Sequence, residues 1–390
     1  MKHTENRVES TLLRRINERR LLEAIQRHGA SSRAALTRVS GLTAPTVSKA
    51  VDTLLKRGLV EEIDPAEQAL GRPGRLVRMA TASATVLGVV IDAGTSCVVA
   101  TGLDGAVTEG RTLRFATPAD YPNLLDTVEE ACRTLMLASG AVVHGIGLSV
   151  PGLVNARLRE IVFSPNLHLL DRHNPARDLE ARLGTPCLMV HESDALVLGE
   201  WLYGGARDLD NFGVLDTVNG LGLGVMSGGR LLTGHSGMAG EIGHMTVAPD
   251  GVRCGCGNRG CLETLATDAA LVRLMGDRLG RVVALDEAAD LVTTRPADFQ
   301  HEIHVVSEHL AIAISAVINI FNPTALFVHG VLLAGVPERF AQVIERVRQR
   351  TLTASLADCT IVATKSSKRQ GAVAGMMHHL TSACAPTLGW

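Results

Sequence analysis

The chain has 390 residues, 46% of them hydrophobic but only 3% aromatic, with 39 glycines and a formal net charge of −2. This is too long for one compact core, and small aliphatic residues with many glycines suit a multidomain α/β protein. No apolar stretch follows Met1 and nothing reads as a membrane span, so the expectation is a cytoplasmic protein with no membrane partner.

The charge is uneven. Residues 1–80 hold 15 Lys and Arg against 9 Asp and Glu, a balance of +6, which leaves 23 against 31, or −8, for the rest. A basic head on an acidic body points to a polyanion partner for the head alone. Three of the 8 cysteines fall within Cys254 to Cys261. In a reduced chain that clustering points to metal rather than disulfides.

Leu21, Leu22 and Ile25 at helical spacing predict a first helix over residues 16–28, closed by Gly29. Ser31 or Ser32 can cap a second over 33–39, and Gly41 supplies the turn before Thr43 caps a third. In that third helix Val47, Val51, Leu54 and Leu55 form the packing stripe and leave Thr46, Ser48 and Lys49 outside it. Short polar side chains at the start of such a helix can reach base edges and phosphates. Arg33, Thr43, Ala44, Thr46, Ser48 and Lys49 are therefore candidate contacts to DNA. Residues 59–63 read as the first wing strand, and Leu70-Gly71-Arg72-Pro73-Gly74-Arg75 as a hinge whose Arg72 can enter a narrow minor groove. A plain linker would have a similar composition.

The body opens with a buried strand over 86–92 that ends in Asp92, then the turn Ala93-Gly94-Thr95-Ser96 and a second strand. An acidic residue at a strand end before such a turn is how actin-like sugar kinases begin. Glycines recur in His144-Gly145-Ile146-Gly147 and in Asn219-Gly220-Leu221-Gly222-Leu223-Gly224. Glycine within a strand marks close approach by a ligand or another backbone. Asp194 follows a strand and opens a helix, where it can either take a proton from a sugar hydroxyl or cap the helix. Farther on, 310–336 reads as a helix, a turn at Asn322-Pro323 and a buried strand.

One imidazole and three thiols, His244, Cys254, Cys256 and Cys261, with glycines between the thiols, match a closed tetrahedral Cys3His zinc site. Four protein ligands leave no open position, so such a Zn2+ is structural. A reactive cysteine cluster is the rival reading.

With Gly240-Glu241-Ile242-Gly243-His244 and Cys254-Gly255-Cys256-Gly257-Asn258-Arg259-Gly260-Cys261-Leu262-Glu263, the chain resembles the ROK family of bacterial sugar-responsive repressors and sugar kinases. Its head is similar to the repressor branch through Ser32-Arg33-Ala34-Ala35-Leu36 and Gly41-Leu42-Thr43-Ala44-Pro45-Thr46-Val47-Ser48. The resemblance implies a winged helix-turn-helix over 1–80 and a two-lobed, ribonuclease H-like α/β body. Its first lobe would span 81–190 plus 371–390, its second 191–370. It implies zinc on His244 and the three cysteines, and a sugar pocket lined by Asn166, Asp194, Glu241, His244 and Glu263. It also implies a homodimer or homotetramer on operator DNA, controlled by a sugar or sugar phosphate. Family kinases carry Asp-x-Gly-Gly-Thr-Lys, Gly-Thr-Gly and Gly-Gly-Gly at their nucleotide contacts. Here Asp92-Ala93-Gly94-Thr95-Ser96-Cys97, Gly220-Leu221-Gly222 and His329-Gly330-Val331 stand instead. The expectation is a repressor that binds sugar without phosphorylating it and keeps Asp194 as a vestigial base. The alternative is an active ATP-dependent sugar kinase with a DNA-binding head.

Overall fold

The computed structural model describes residues 2–64 and 75–382, with side chains from residue 12 onward. Its head comprises α1 (Lys2–His28), β1 (Ser31–Ser32), α2 (Arg33–Ser40), α3 (Ala44–Lys56), β2 (Val60–Ile63) and β3 (Leu76–Met79). The Ser32 hydroxyl accepts from the Ala35 amide and starts α2, and Gly41 at φ 67 ends it. On α3, Val47, Ala50, Val51 and Leu54 are buried, as the periodicity requires. β3 lies between β1 and β2 in an antiparallel wing sheet. The hinge residue Arg72 lies outside the described residues.

The first lobe contains β4 (Ala84–Val90), β5 (Thr95–Thr101), β6 (Thr112–Ala116), α4 (Tyr121–Ser139), β7 (Val142–Val150), β8 (Leu153–Asn155), β9 (Glu160–Phe163), α5 (Pro175–Leu183) and β10 (Cys187–His191). After α6 (Glu192–Leu202), the second lobe contains β11 (Phe212–Asp216), β12 (Gly222–Ser227), β13 (Arg230–Leu231), α7 (Glu263–Ala266), α8 (Asp268–Leu279), α9 (Leu285–Thr294), α10 (Gln300–Phe321), β14 (Ala325–His329), α11 (Pro337–Arg348), α12 (Thr353–Ala357) and β15 (Thr360–Ala363). The last described element is α13 (Lys368–Ser382).

The main sheets run β10-β7-β4-β5-β6 and β13-β12-β11-β14-β15. Counted within each lobe, both have the order 3-2-1-4-5, with an antiparallel meander followed by parallel crossovers. The acidic ends of β4 and β11 are thereby brought to equivalent places in the two lobes.

Helices α6 and α13 pack against each other between the sheets. Glycine lets each helix come close to its sheet. A Cβ on Gly147 of β7 would stand 2.0 Å from the Ala372 carbonyl oxygen, and one on Gly224 of β12 would stand 2.5 Å from that of Ser193. The approaching groups at these positions are backbone, one of the two causes that strand glycines advertise.

Helix α10 is long and apolar enough to cross a membrane by composition. It instead buries Val306, Leu310, Ala313, Ile314 and Val317 in the second lobe, and ends at Asn322 with φ 43 before buried β14.

One core joins head and body. Leu21, Leu22 and Ile25 of α1 share a cluster with Val86, Val99 and Leu103 of the first lobe and with Val373, Met376 and Met377 of α13. In β2, Glu61 accepts from Arg78, from the Thr81 hydroxyl and from the Ala82 amide, which fixes the exit from the wing.

Candidate functional site

At the exposed start of α3, Thr43 is the N-cap in extended conformation and its hydroxyl lies 2.9 Å from that of Thr46. Thr43, Ala44, Pro45 and Lys49 are exposed, and Thr46 and Ser48 are partly so. The helix start presents backbone amides and a positive dipole end outward. Arg33, expected at the DNA surface, is committed to the head itself. Its guanidinium donates to the Ser48 hydroxyl at 3.0 Å, to Asp52 at 2.8 Å and to Glu62 at 2.9 Å. It braces α3 against α2 and the wing, because two carboxylates from separate elements converge on it.

In the second lobe, the chain after β13 returns through Glu241 and His244 to a compact cysteine loop. Gly257, at φ 92, turns that loop between the thiols. The donor atoms of His244, Cys254, Cys256 and Cys261 all lie within 4.8 Å of one another. Sγ of Cys256 and Cys261 are 3.7 Å apart, as are His244 Nδ1 and Cys254 Sγ. Ligands at about 2.3 Å in a tetrahedron stand about 3.8 Å from one another, so this donor set fits one metal ion. Burial pushes the Cys254 and Cys261 thiols up, and the carboxylate of Glu263, which accepts from Cys254 Sγ at 2.9 Å, pushes Cys254 further. A central cation reverses that preference and favours thiolates.

The same segment carries two of the residues expected to hold a sugar, Glu241 and His244. His244 Nε2 lies 3.6 Å from Glu241 Oε2, on the side of the ring away from the thiols. Asn166 and Glu263 meet opposite Gly220, where an added Cβ would stand 3.3 Å from Asn166 Nδ2 and 3.2 Å from Glu263 Oε2. Gly220 is thus the glycine of its segment that faces the site. Asp194 occupies the third position of α6, whose N-cap is His191. Burial pushes its carboxyl up, His191 opposes this, and Glu241 reinforces it. Asp194 also lines a cleft of about 970 Å³ that runs along β10 between α5 and α13. Two close carboxyls and an imidazole suit recognition of several hydroxyl groups.

Around Asp92 the structure adds residues that motif reading passed over, Lys368 and Asp216. Asp92 Oδ1 accepts from the Ala93 amide and from Asn219 Nδ2, at 2.7 and 2.6 Å. Lys368 Nζ lies 3.2 Å from Asp92, 2.8 Å from Glu192 and 2.9 Å from Asp216. Asp216 carries the one available signal, since it ends a strand before a polar turn just as Asp92 does. The His329-Gly330-Val331 segment is held by Asp268, which accepts from the Val331 and Leu332 amides at 2.6 and 3.1 Å.

The ROK family pattern matches residues 88–382, and the MarR family pattern matches residues 13–69. The chain is 29% identical over 333 residues to the xylose repressor of Bacillus subtilis (strain 168), covering 84% of this chain and 85% of that one. It is 27% identical over 338 residues to the DNA-binding transcriptional dual regulator NagC of Escherichia coli (strain K12), covering 82% and 81%. A ROK family transcriptional regulator described as a homolog of E. coli MLC protein superposes with TM-score 0.76 at 24% identity, over 95% of this chain and 98% of that one. A ROK family glucokinase from Streptomyces griseus, in complex with glucose and AMPPNP, superposes with TM-score 0.64 at 22% identity, over 75% and 97%. The glucokinase shares the body's fold, and the regulator shares head and body together.

Proposed function

The chain belongs to the ROK family, and we propose on that premise that it is a sugar-responsive transcription repressor whose operator binding is set by occupancy of the cleft. The observation that carries this reading is the union, through one hydrophobic core, of a winged-helix head with a sugar-kinase-like body. Relatives that match over most of both chains are, by name, a xylose repressor and a DNA-binding transcriptional dual regulator.

In this reading Thr43, Ala44, Thr46, Ser48 and Lys49 meet DNA, Arg33 positions α3, and Arg72 enters the minor groove. Asn166, Asp194, Glu241, His244 and Glu263 hold a sugar or sugar phosphate. Zn2+ on His244, Cys254, Cys256 and Cys261 has a structural role, fixing the loop that carries one wall of the cleft. The protein works in the cytoplasm as a homodimer or homotetramer, because two heads on a near-palindromic operator combine their contacts. Sugar draws the lobes together, and the heads, tied to the first lobe and α13, lose the spacing of the half-sites. A ligand drives this only by binding the closed state more tightly.

An active sugar kinase is the second reading, favoured by Asp194, whose raised carboxyl moves toward the range of a general base. Thermal-shift measurements with a monosaccharide panel, paired with coupled assays of the same sugars and Mg·ATP, separate the two. We expect stabilisation by at least one sugar and turnover of none. Sugar-dependent ATP turnover that disappears in Asp194→Asn establishes the kinase.

A further inference from the structure

Four residues from four elements meet where the lobes face each other. Asp92 follows β4, Glu192 opens α6, Asp216 ends β11 and Lys368 opens α13. The Lys368 side chain is only 12% exposed and that of Asp216 only 3%. The segment carrying the lysine is itself held in place. Glu200 of α6, fully buried, accepts from the Lys365 and Ser366 amides at 2.6 and 2.7 Å. The ammonium is therefore built in, unlike a surface side chain that happens to fold back.

We propose that Lys368 is an internal cation standing where a divalent metal would sit among Asp92, Glu192 and Asp216, and that it ties the two lobes together on the nucleotide side of the cleft. Three carboxylate oxygens at 2.8 to 3.2 Å around one point are the donor set of a hard divalent ion, and the ammonium satisfies them with three N–H donors. The hydrogen bond from Asn219 to Asp92 is a second tie across the same gap. One positive charge against three carboxylates leaves the pocket acidic, so a polyphosphate entering without its metal meets net repulsion. Its metal finds the position filled. Burial raises the Glu192 carboxyl, while the three carboxylates hold Lys368 firmly protonated despite burial. This inference rests on the reading of the chain as a sugar binder that does not transfer phosphate. It supplies a physical reason for that reading within the fold.

The test is Mn2+ binding to zinc-loaded, full-length protein, measured by equilibrium dialysis and by electron paramagnetic resonance for the wild type and Lys368→Met. We expect the variant to bind one more Mn2+ per chain, at least tenfold more tightly than any such site in the wild type. Its melting temperature should rise with added Mn2+ while that of the wild type stays level. Equal Mn2+ binding by the two proteins overturns the proposal. If unpaired carboxylates prevent Lys368→Met from folding, Lys368→Met/Glu192→Gln removes one charge and keeps Asp92 and Asp216 as ligands. The same comparison then applies, and equal binding again overturns it. ATP turnover by the wild type contradicts the proposed function instead, and the Mn2+ comparison is read separately from it.

Discussion

The imidazole of His244 is shared between two neighbourhoods, with Nδ1 3.7 Å from Cys254 Sγ and Nε2 3.6 Å from Glu241 Oε2. A metal held on one side of the ring fixes the tautomer and direction of the nitrogen offered on the other. We expect one zinc per chain by elemental analysis. Stripping it, or making Cys256→Ser, should lower the melting temperature and weaken sugar binding together. Glu263→Gln, which removes the carboxylate that holds the Cys254 proton in the metal-free site, should tighten metal binding in chelator competition and lower the pH at which zinc loads.

Asp194 lies on α6, where Glu241 raises its carboxyl, and belongs to neither the zinc loop nor the head. Asp194→Asn should abolish the stabilisation given by the effector sugar in a thermal-shift titration. Zinc content and operator affinity without sugar should stay at wild-type values. Retained sugar response would remove Asp194 from the pocket.

In the head, bracing and contact separate by residue. Arg33→Ala leaves Asp52 and Glu62 without their shared partner, so it should cost about 1 kcal/mol of stability and weaken every operator alike. Lys49→Ala should change stability by less than about 0.5 kcal/mol. It should reduce the salt slope of DNA binding by about 1, the mark of one lost phosphate contact. Urea denaturation and binding titrations at several salt concentrations distinguish the two.

Asp268 should make stability depend on pH. Burial raises its carboxyl to about 7 from an ordinary value of 3.8, against the opposing pull of the Val331 and Leu332 amides. The folded chain thus holds this proton more tightly than the unfolded chain does. The stabilisation is complete below the unfolded value and is lost as pH rises through about 7. Urea midpoints from about pH 5 to 8.5 should fall for the wild type and flatten in Asp268→Asn. Identical slopes would mean that Asp268 is ionised in the folded protein throughout.

Much of this was legible because the informative residues are close in sequence. The stripe of Val47, Val51 and Leu54 lies between Thr43 and Gly58, and the cysteine cluster spans one loop. The first helix begins at Lys2 rather than near residue 16, since its polar opening turns show no apolar period. The strand Ser31–Ser32 is too short to alternate, and only its pairing with β3 defines it. Lys368 could not be read at all. It lies 276 residues from Asp92, and the polar run Ser366-Ser367-Lys368-Arg369-Gln370 looks like any solvated helix start. Arg33 has the complementary difficulty, because a cation beside a recognition helix gives no sign in sequence that two carboxylates will enclose it.

The most direct test of the switch is operator affinity with and without sugar. Duplexes enriched from a random library by the full-length protein provide the operator, and its binding is titrated alone and with glucose, xylose, N-acetylglucosamine and their phosphates. The account predicts that at least one of these weakens binding tenfold or more, and that Asp194→Asn removes the response while still binding the operator. Operator affinity that stays constant across the panel would contradict it.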